Sequence, residues 1–163
     1  MSDLKINVFL DTSVINFLFA DDAPEKRDVT VEYFAKYVKT NKYHHLVSEF
    51  VVEEISKTSN IEQRTKLLNV IEEYDISVPE IENGDEILEL AEKYIKGGIL
   101  SQNSLYDSLH VAFCTVNKID LLLSWNFKHL SNFNKERLFQ IKNLELGYLF
   151  TPRLYNPMEA FNE

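Results

Sequence analysis

Three acids in this sequence stand where a carboxylate is either a local structural group or part of a site. Asp11 ends the run Ile6-Asn7-Val8-Phe9-Leu10 and precedes Thr12-Ser13, so it lies between a strand and a helix start. Open α/β sheets place ligands at the carboxyl ends of their strands; an Asp there is a cap or a ligand. Glu54 falls in the helical stretch Ser48 to Ile55. With residues advancing about 100° each, Phe50, Val51, Val52 and Ile55 form its core side, and Glu49 and Glu53 face solvent. Glu54 lies at the boundary, as an ordinary edge acid or as one aimed along the sheet toward a cleft. Asp107 opens the apolar helix from Ser104 to Asn117. Ser104-x-x-Asp107 has the spacing of a capping box, with Asp in place of Glu or Gln, and a metal ligand is the other reading. His110, on the flank of that helix, reads as a packed or hydrogen-bonded histidine.

A further polar group follows the apolar strand Leu121-Leu122-Leu123: Ser124-Trp125-Asn126-Phe127-Lys128-His129. The Asn126 carbonyl oxygen suits a hard cation, and Lys128 or His129 suits a phosphate. The structural alternative is a polar turn beneath a surface Trp. Other chemistries lack their residues. With 4 Gly, the chain has no glycine-rich phosphate loop. It has no Gly-x-Ser-x-Gly elbow. His44-His45 are adjacent rather than one helical turn apart, and Asp11-Thr12-Ser13 lacks the second Asp of a haloacid-dehalogenase-like phosphatase. The single cysteine, Cys114, leaves no internal disulfide and no cysteine-rich zinc site.

The elements that must position these groups alternate. Strands are expected at about residues 6–10, 44–48, 76–78, 121–124 and 148–150. Helices are expected after Ser13, from Pro24 to about Lys39, at 49–57, 63–74, 85–96 (closed by Gly97-Gly98) and 104–117. The order βαβαβαβ with extra helices predicts a doubly wound α/β domain around a mainly parallel sheet flanked by helices, one domain over residues 1–163. The 163 residues, 45% of them hydrophobic, suffice for one folded core. The sequence has no apolar run long enough to span a membrane and no visible signal peptide at Met1 to Lys5, so a cytoplasmic protein is expected. With 17 basic and 26 acidic residues the net charge is −9, which argues against a broad nucleic-acid-coating surface. It leaves room for a local nuclease site, where bound divalent cations reverse the charge.

Taken in order, four segments resemble the PIN domain, the fold of VapC-type toxin ribonucleases. They are Leu10-Asp11-Thr12-Ser13; Ser48 with Glu54-Ile55; Tyr106-Asp107-Ser108-Leu109-His110-Val111-Ala112; and Leu123-Ser124-Trp125-Asn126-Phe127-Lys128-His129-Leu130. Phe150-Thr151-Pro152 also resembles the tail of one bacterial branch. The resemblance implies a Mg²⁺- or Mn²⁺-dependent endoribonuclease leaving a 3′-hydroxyl and a 5′-phosphate. It carries the family's first three acids to Asp11, Glu54 and Asp107, its fourth acidic position to Asn126, and a nearby hydroxyl to Ser124. On that basis Asp11 and Asp107 are expected as direct ligands, Glu54 as ligand or water-orienting base, and Asn126 as an outer ligand. Ser13, Ser124 and Lys128 would orient water or phosphate. The family also implies an RNA substrate, a small antitoxin filling the same cleft, and a homodimer. With Asn at the fourth position, the second reading is a PIN-fold binding or scaffold module with little activity.

Overall fold

Val8, Phe9 and Leu10 are fully buried, and they build the centre of the sheet. They belong to the strand Asn7–Leu10 (β1), which pairs in parallel with His44–Leu46 (β2) on one side and Leu121–Leu123 (β3) on the other. An unbroken apolar run is what a strand covered on both faces requires. Arg153–Tyr155 (β4) adds to β3, giving a four-stranded, all-parallel sheet of order β2-β1-β3-β4. The computed structural model describes residues 4–160.

Seven α-helices flank the sheet among the described residues: Thr12–Phe17 (α1), Pro24–Tyr33 (α2), Glu49–Ser56 (α3), Ile61–Glu73 (α4), Gly84–Lys96 (α5), Leu105–Val116 (α6) and Phe133–Glu145 (α7). A π-helical turn, Phe34–Val38, prolongs α2, and a 3₁₀ turn, Gln102–Ser104, leads into α6. The architecture is the expected one, and no helix of the described residues is long and apolar enough to cross a membrane. The chain passes from β1 to β2 on one side and then crosses back over β1 to β3 on the other, so the sheet has its topological switch between β1 and β3. The residues that follow those two strands are Asp11 and Ser124. Asp11 N–H donates to the Leu123 carbonyl at 3.1 Å, which keeps the two strand ends side by side.

Three expectations need correction. The last strand lies at Arg153–Tyr155, not at Tyr148-Leu149-Phe150. Those residues follow Gly147, whose φ of 89° turns the chain out of α7, and Leu149 is left 93% exposed. Residues 76–78 form no strand: Ser77 makes one bridge to Leu46, between Asp75 at φ 52° and Pro79. The helix α7 was not expected, because its apolar residues form no continuous face and only Phe139 and Asn143 are buried. A polar network anchors it. Asn143 accepts from the Tyr94 hydroxyl at 2.5 Å, and donates to Thr115 at 3.2 Å and Thr151 at 2.9 Å. Its start was legible in Asn132, whose side chain caps the Lys135 N–H at 2.9 Å.

Candidate functional site

Asp11 is 2% exposed and begins α1 as its N-cap, its Oδ1 accepting from Ser13 N–H at 2.7 Å. The cap role is therefore present, but it does not account for the rest of the environment. The Ser13 hydroxyl also donates to Asp11, and accepts from Trp125 N–H at 2.9 Å. On the other side Ser124, fully buried, hydrogen-bonds Asp11 and accepts from Asn126 N–H at 2.9 Å. Two backbone N–H groups of the loop after β3 thus reach one carboxylate through two serine hydroxyls. Each hydroxyl is polarised toward Asp11 by the amide behind it. Burial nevertheless raises the Asp11 pKa above the ordinary value, the charge of His110 and the serine bonds offsetting only part of that cost.

Asp107 lies in the first turn of α6, and the capping-box alternative does not hold: Ser104 makes no side-chain cap bond. The Asp107 carboxylate instead accepts from the Asn126 side-chain amide at 3.0 Å. Burial first, and then the charge of Asp11, push its pKa from 3.8 up to about 7; Glu54 adds to the rise. Those couplings bring Asp11, Glu54 and Asp107 into one electrostatic neighbourhood. Glu54, half-buried on α3, differs in sign. Burial acts to raise its pKa, but the His110 bond and charge, with Thr12 and Lys57, outweigh burial and hold it below the ordinary value. The Thr12 hydroxyl and His110 Nε2, at 3.2 Å, both meet Glu54 Oε1. His110 is itself 1% exposed, its ring 5.4 Å from that of Phe9, and its Nδ1 has no partner among the described residues.

The loop residues divide by orientation. Asn126 accepts from His129 N–H at 3.2 Å through its carbonyl oxygen. That bond fixes the amide: the oxygen faces the backbone, and the N–H₂ faces Asp107. Asn126 therefore meets the acids as a donor in this structure. Lys128 is exposed on the same loop and makes no ion pair among the described residues. Glu53 is exposed, as the helical arithmetic expects, and accepts from the Tyr106 hydroxyl at 3.0 Å. Sequence reasoning missed Thr12 as a partner of Glu54; the α3–α1 contact that joins them has no local signal.

A divalent cation needs several oxygen donors facing one point. Among the described residues no three His, Cys, Asp or Glu side chains form a metal-holding group. Glu54 is turned onto Thr12 and His110, and Asn126 offers hydrogens. Asp11 and Asp107 remain: two acids whose pKa values burial raises, that of Asp107 further by the charges of Asp11 and Glu54, so that when both are ionised they repel. Oxygen donors with surplus negative charge suit a hard cation that keeps most of its waters.

The chain matches no protein-family model, and no curated protein matches its sequence. Solved structures do match its fold. It is similar to a chain of VapBC2 from Rickettsia felis bound to a DNA fragment from their promoter. The TM-score is 0.51 and the identity 16%, over 93% of this chain and 97% of that one. It is also similar to a chain of a toxin-antitoxin complex from Klebsiella pneumoniae, with TM-score 0.54 and 14% identity, over 78% of this chain and 93% of that one. At these identities the likeness is one of fold, and the chain has the PIN-like α/β fold of those toxin-antitoxin proteins.

Proposed function

We propose that the protein is a metal-dependent endoribonuclease, the toxin of a toxin-antitoxin pair. The observation that supports this most is the pair Asp11 and Asp107. The buried Asp11 and the half-buried Asp107 repel one another beside the switch point of the sheet, with a pKa pushed up to about 7 on Asp107. Asp11 and Asp107 would hold Mg²⁺ or Mn²⁺, which when bound supplies Lewis acidity toward the phosphodiester and its attacking water. The chain's own groups do the rest. Ser13 and Ser124 fix the Asp11 oxygens. Glu54, kept ionised by His110 and Thr12, stands ready to orient water and accept its proton. The Asn126 amide holds Asp107, and Lys128, exposed on the same loop, would meet a substrate phosphate. The antitoxin would fill the same cleft; with a chain charge of −9, a basic segment is the complementary partner.

Purified protein should cut single-stranded RNA in Mg²⁺ or Mn²⁺, leaving 5′-phosphate and 3′-hydroxyl ends, and should stop in chelator. Unaltered RNA under all metals would instead support the binding-module reading, which the donor orientation of Asn126 favours. Two adjacent glutamates separate site from surface. Glu54→Gln is expected to lower the cleavage rate at least tenfold. Glu53→Gln should leave that rate at the wild-type value and change stability by less than about 0.5 kcal/mol. Equal losses would contradict the assignment of Glu54.

Asn126→Asp replaces a donor to Asp107 by a like charge. It should lower the unfolding temperature without metal and enlarge the gain on adding Mn²⁺. Thermal unfolding with and without Mn²⁺ measures both; unchanged values would make Asn126 a turn residue only.

A further inference from the structure

The helix α2 brings Lys26 to an aromatic cluster formed by Phe17 of α1 and by Trp125 and Phe127 of the loop after β3. Its ammonium lies 5.5 Å from the ring centroid of Phe17, 5.7 Å from Trp125 and 5.1 Å from Phe127. The next residue, Arg27, is neutralised by Asp21 and Asp28 at 2.8 and 3.1 Å. Lys26 makes no ion pair among the described residues. Ring faces attract a cation without pairing it with an acid, so Lys26 has no carboxylate partner among the described residues in a chain of net charge −9. The cluster is braced. Trp125 Nε1–H donates to Thr30 Oγ1 at 2.8 Å, and the Thr30 hydroxyl donates to the Lys26 carbonyl at 2.6 Å. Phe127 stands edge-on to Trp125 at 5.9 Å and is 41% exposed. Trp125 also lies between Ser124, which holds Asp11, and Asn126, which holds Asp107.

We propose that Lys26 and Phe127 form a subsite for one unstacked nucleotide of single-stranded RNA, beside the acid cluster. This rests on the ribonuclease reading of that cluster. Phe127 offers the base the ring face that Lys26 does not cover, and Lys26 meets the adjoining phosphate. Phe17 and Trp125 hold the cation in place. A base paired in a duplex cannot present its face to Phe127, so the subsite selects single strands. It also supplies the positive charge that the acids lack: the site takes a cation on one side and a phosphate on the other.

The test measures binding of a labelled, phosphorothioate-blocked single-stranded RNA to the full chain in Mg²⁺, which binds the substituted sulfur poorly, by fluorescence anisotropy across a salt series. Phe127→Ala should weaken binding by about tenfold or more, the effect of losing one base–aromatic stack. Phe127→Tyr keeps the ring and should return affinity to within about twofold of wild type. Lys26→Met should flatten the dependence of log affinity on log salt by about 0.7, the share of one phosphate on a single strand. Duplex RNA of the same sequence should bind more weakly and ignore Phe127→Ala. Wild-type protein that binds and cuts single strands, with Phe127→Ala and Lys26→Met indistinguishable from it, would overturn the subsite alone. A duplex as sensitive to Phe127→Ala as the single strand would overturn it too. Wild-type protein that neither binds nor cuts RNA would overturn the ribonuclease reading, and the subsite with it.

Discussion

Replacing Asp107 with Asn is expected to lower metal-dependent RNA cleavage by about a thousandfold or more, while making the metal-free protein more stable at pH 8. The first effect follows from losing a charged oxygen donor. Several kcal/mol of transition-state stabilisation by a cation correspond to a rate factor of about 10³ or more. The second follows from the raised pKa. Burial and the charge of Asp11 take Asp107 from 3.8 to about 7 in the folded protein. Between those two values the folded state holds a proton that the unfolded chain has released. Stability therefore falls as pH rises through that window and levels off above about 7. Asn has no proton to lose, so the variant should be more stable than wild type at pH 8 and no more stable below the ordinary carboxylate value. Part of the slope persists, because Asp11 is raised by burial as well. Cation affinity should run the other way and strengthen up to about pH 7, since binding displaces the Asp107 proton. Urea unfolding at pH 4, 6 and 8 reads the stability change. A variant no more stable than wild type at pH 8 would show that Asp107 is not strained by its neighbours.

Phe9→Ala carries the largest expected loss of stability, about 3–5 kcal/mol out of a total of about 5–15. Phe9 is fully buried at the centre of the sheet, in register with Leu46 on β2 and Leu122 on β3. Its ring lies 5.4 Å from His110 and 5.6 Å from Phe113, so truncation leaves a cavity beneath the site. His110 loses a wall that fixes its ring, and Glu54 loses a rigid partner. Phe9→Leu keeps most of the volume and should cost less than half as much. Chemical denaturation of the three proteins, with an unchanged dependence on denaturant, measures the ranking. A cost below about 1 kcal/mol for Phe9→Ala would mean that the sheet repacks around the gap.

What the sequence revealed of the fold was its period and its punctuation. Val8-Phe9-Leu10 and Leu121-Leu122-Leu123 are apolar without interruption, which marks central strands, and Gly97-Gly98 closes α5. Tyr148-Leu149-Phe150 misled because it is as apolar as a strand, although Leu149 is exposed and its neighbours are only half-buried. The short β4 has one buried apolar residue, Leu154, and little pattern to detect. The site divides in the same way. Asp11 was legible from the strand before it, and the exposure of Glu53 came from angle arithmetic on a single helix. The contacts of Glu54 with Thr12 and His110 join three helices, and no spacing within one segment encodes them. The orientation of the Asn126 amide depends on one backbone N–H, that of His129, which residue identity does not specify. Lys26 was missed because its aromatic partners are separated from it along the chain by as many as a hundred residues and meet it only in the fold.

Anomalous diffraction from a crystal soaked in Mn²⁺ above pH 7 tests the central claim most directly. The expected result is one strong peak at the carboxyl end of β1, beside Asp11 and Asp107, absent from crystals of Asp107→Asn. A peak remote from both acids, or none at a Mn²⁺ concentration that supports RNA cleavage, would contradict it.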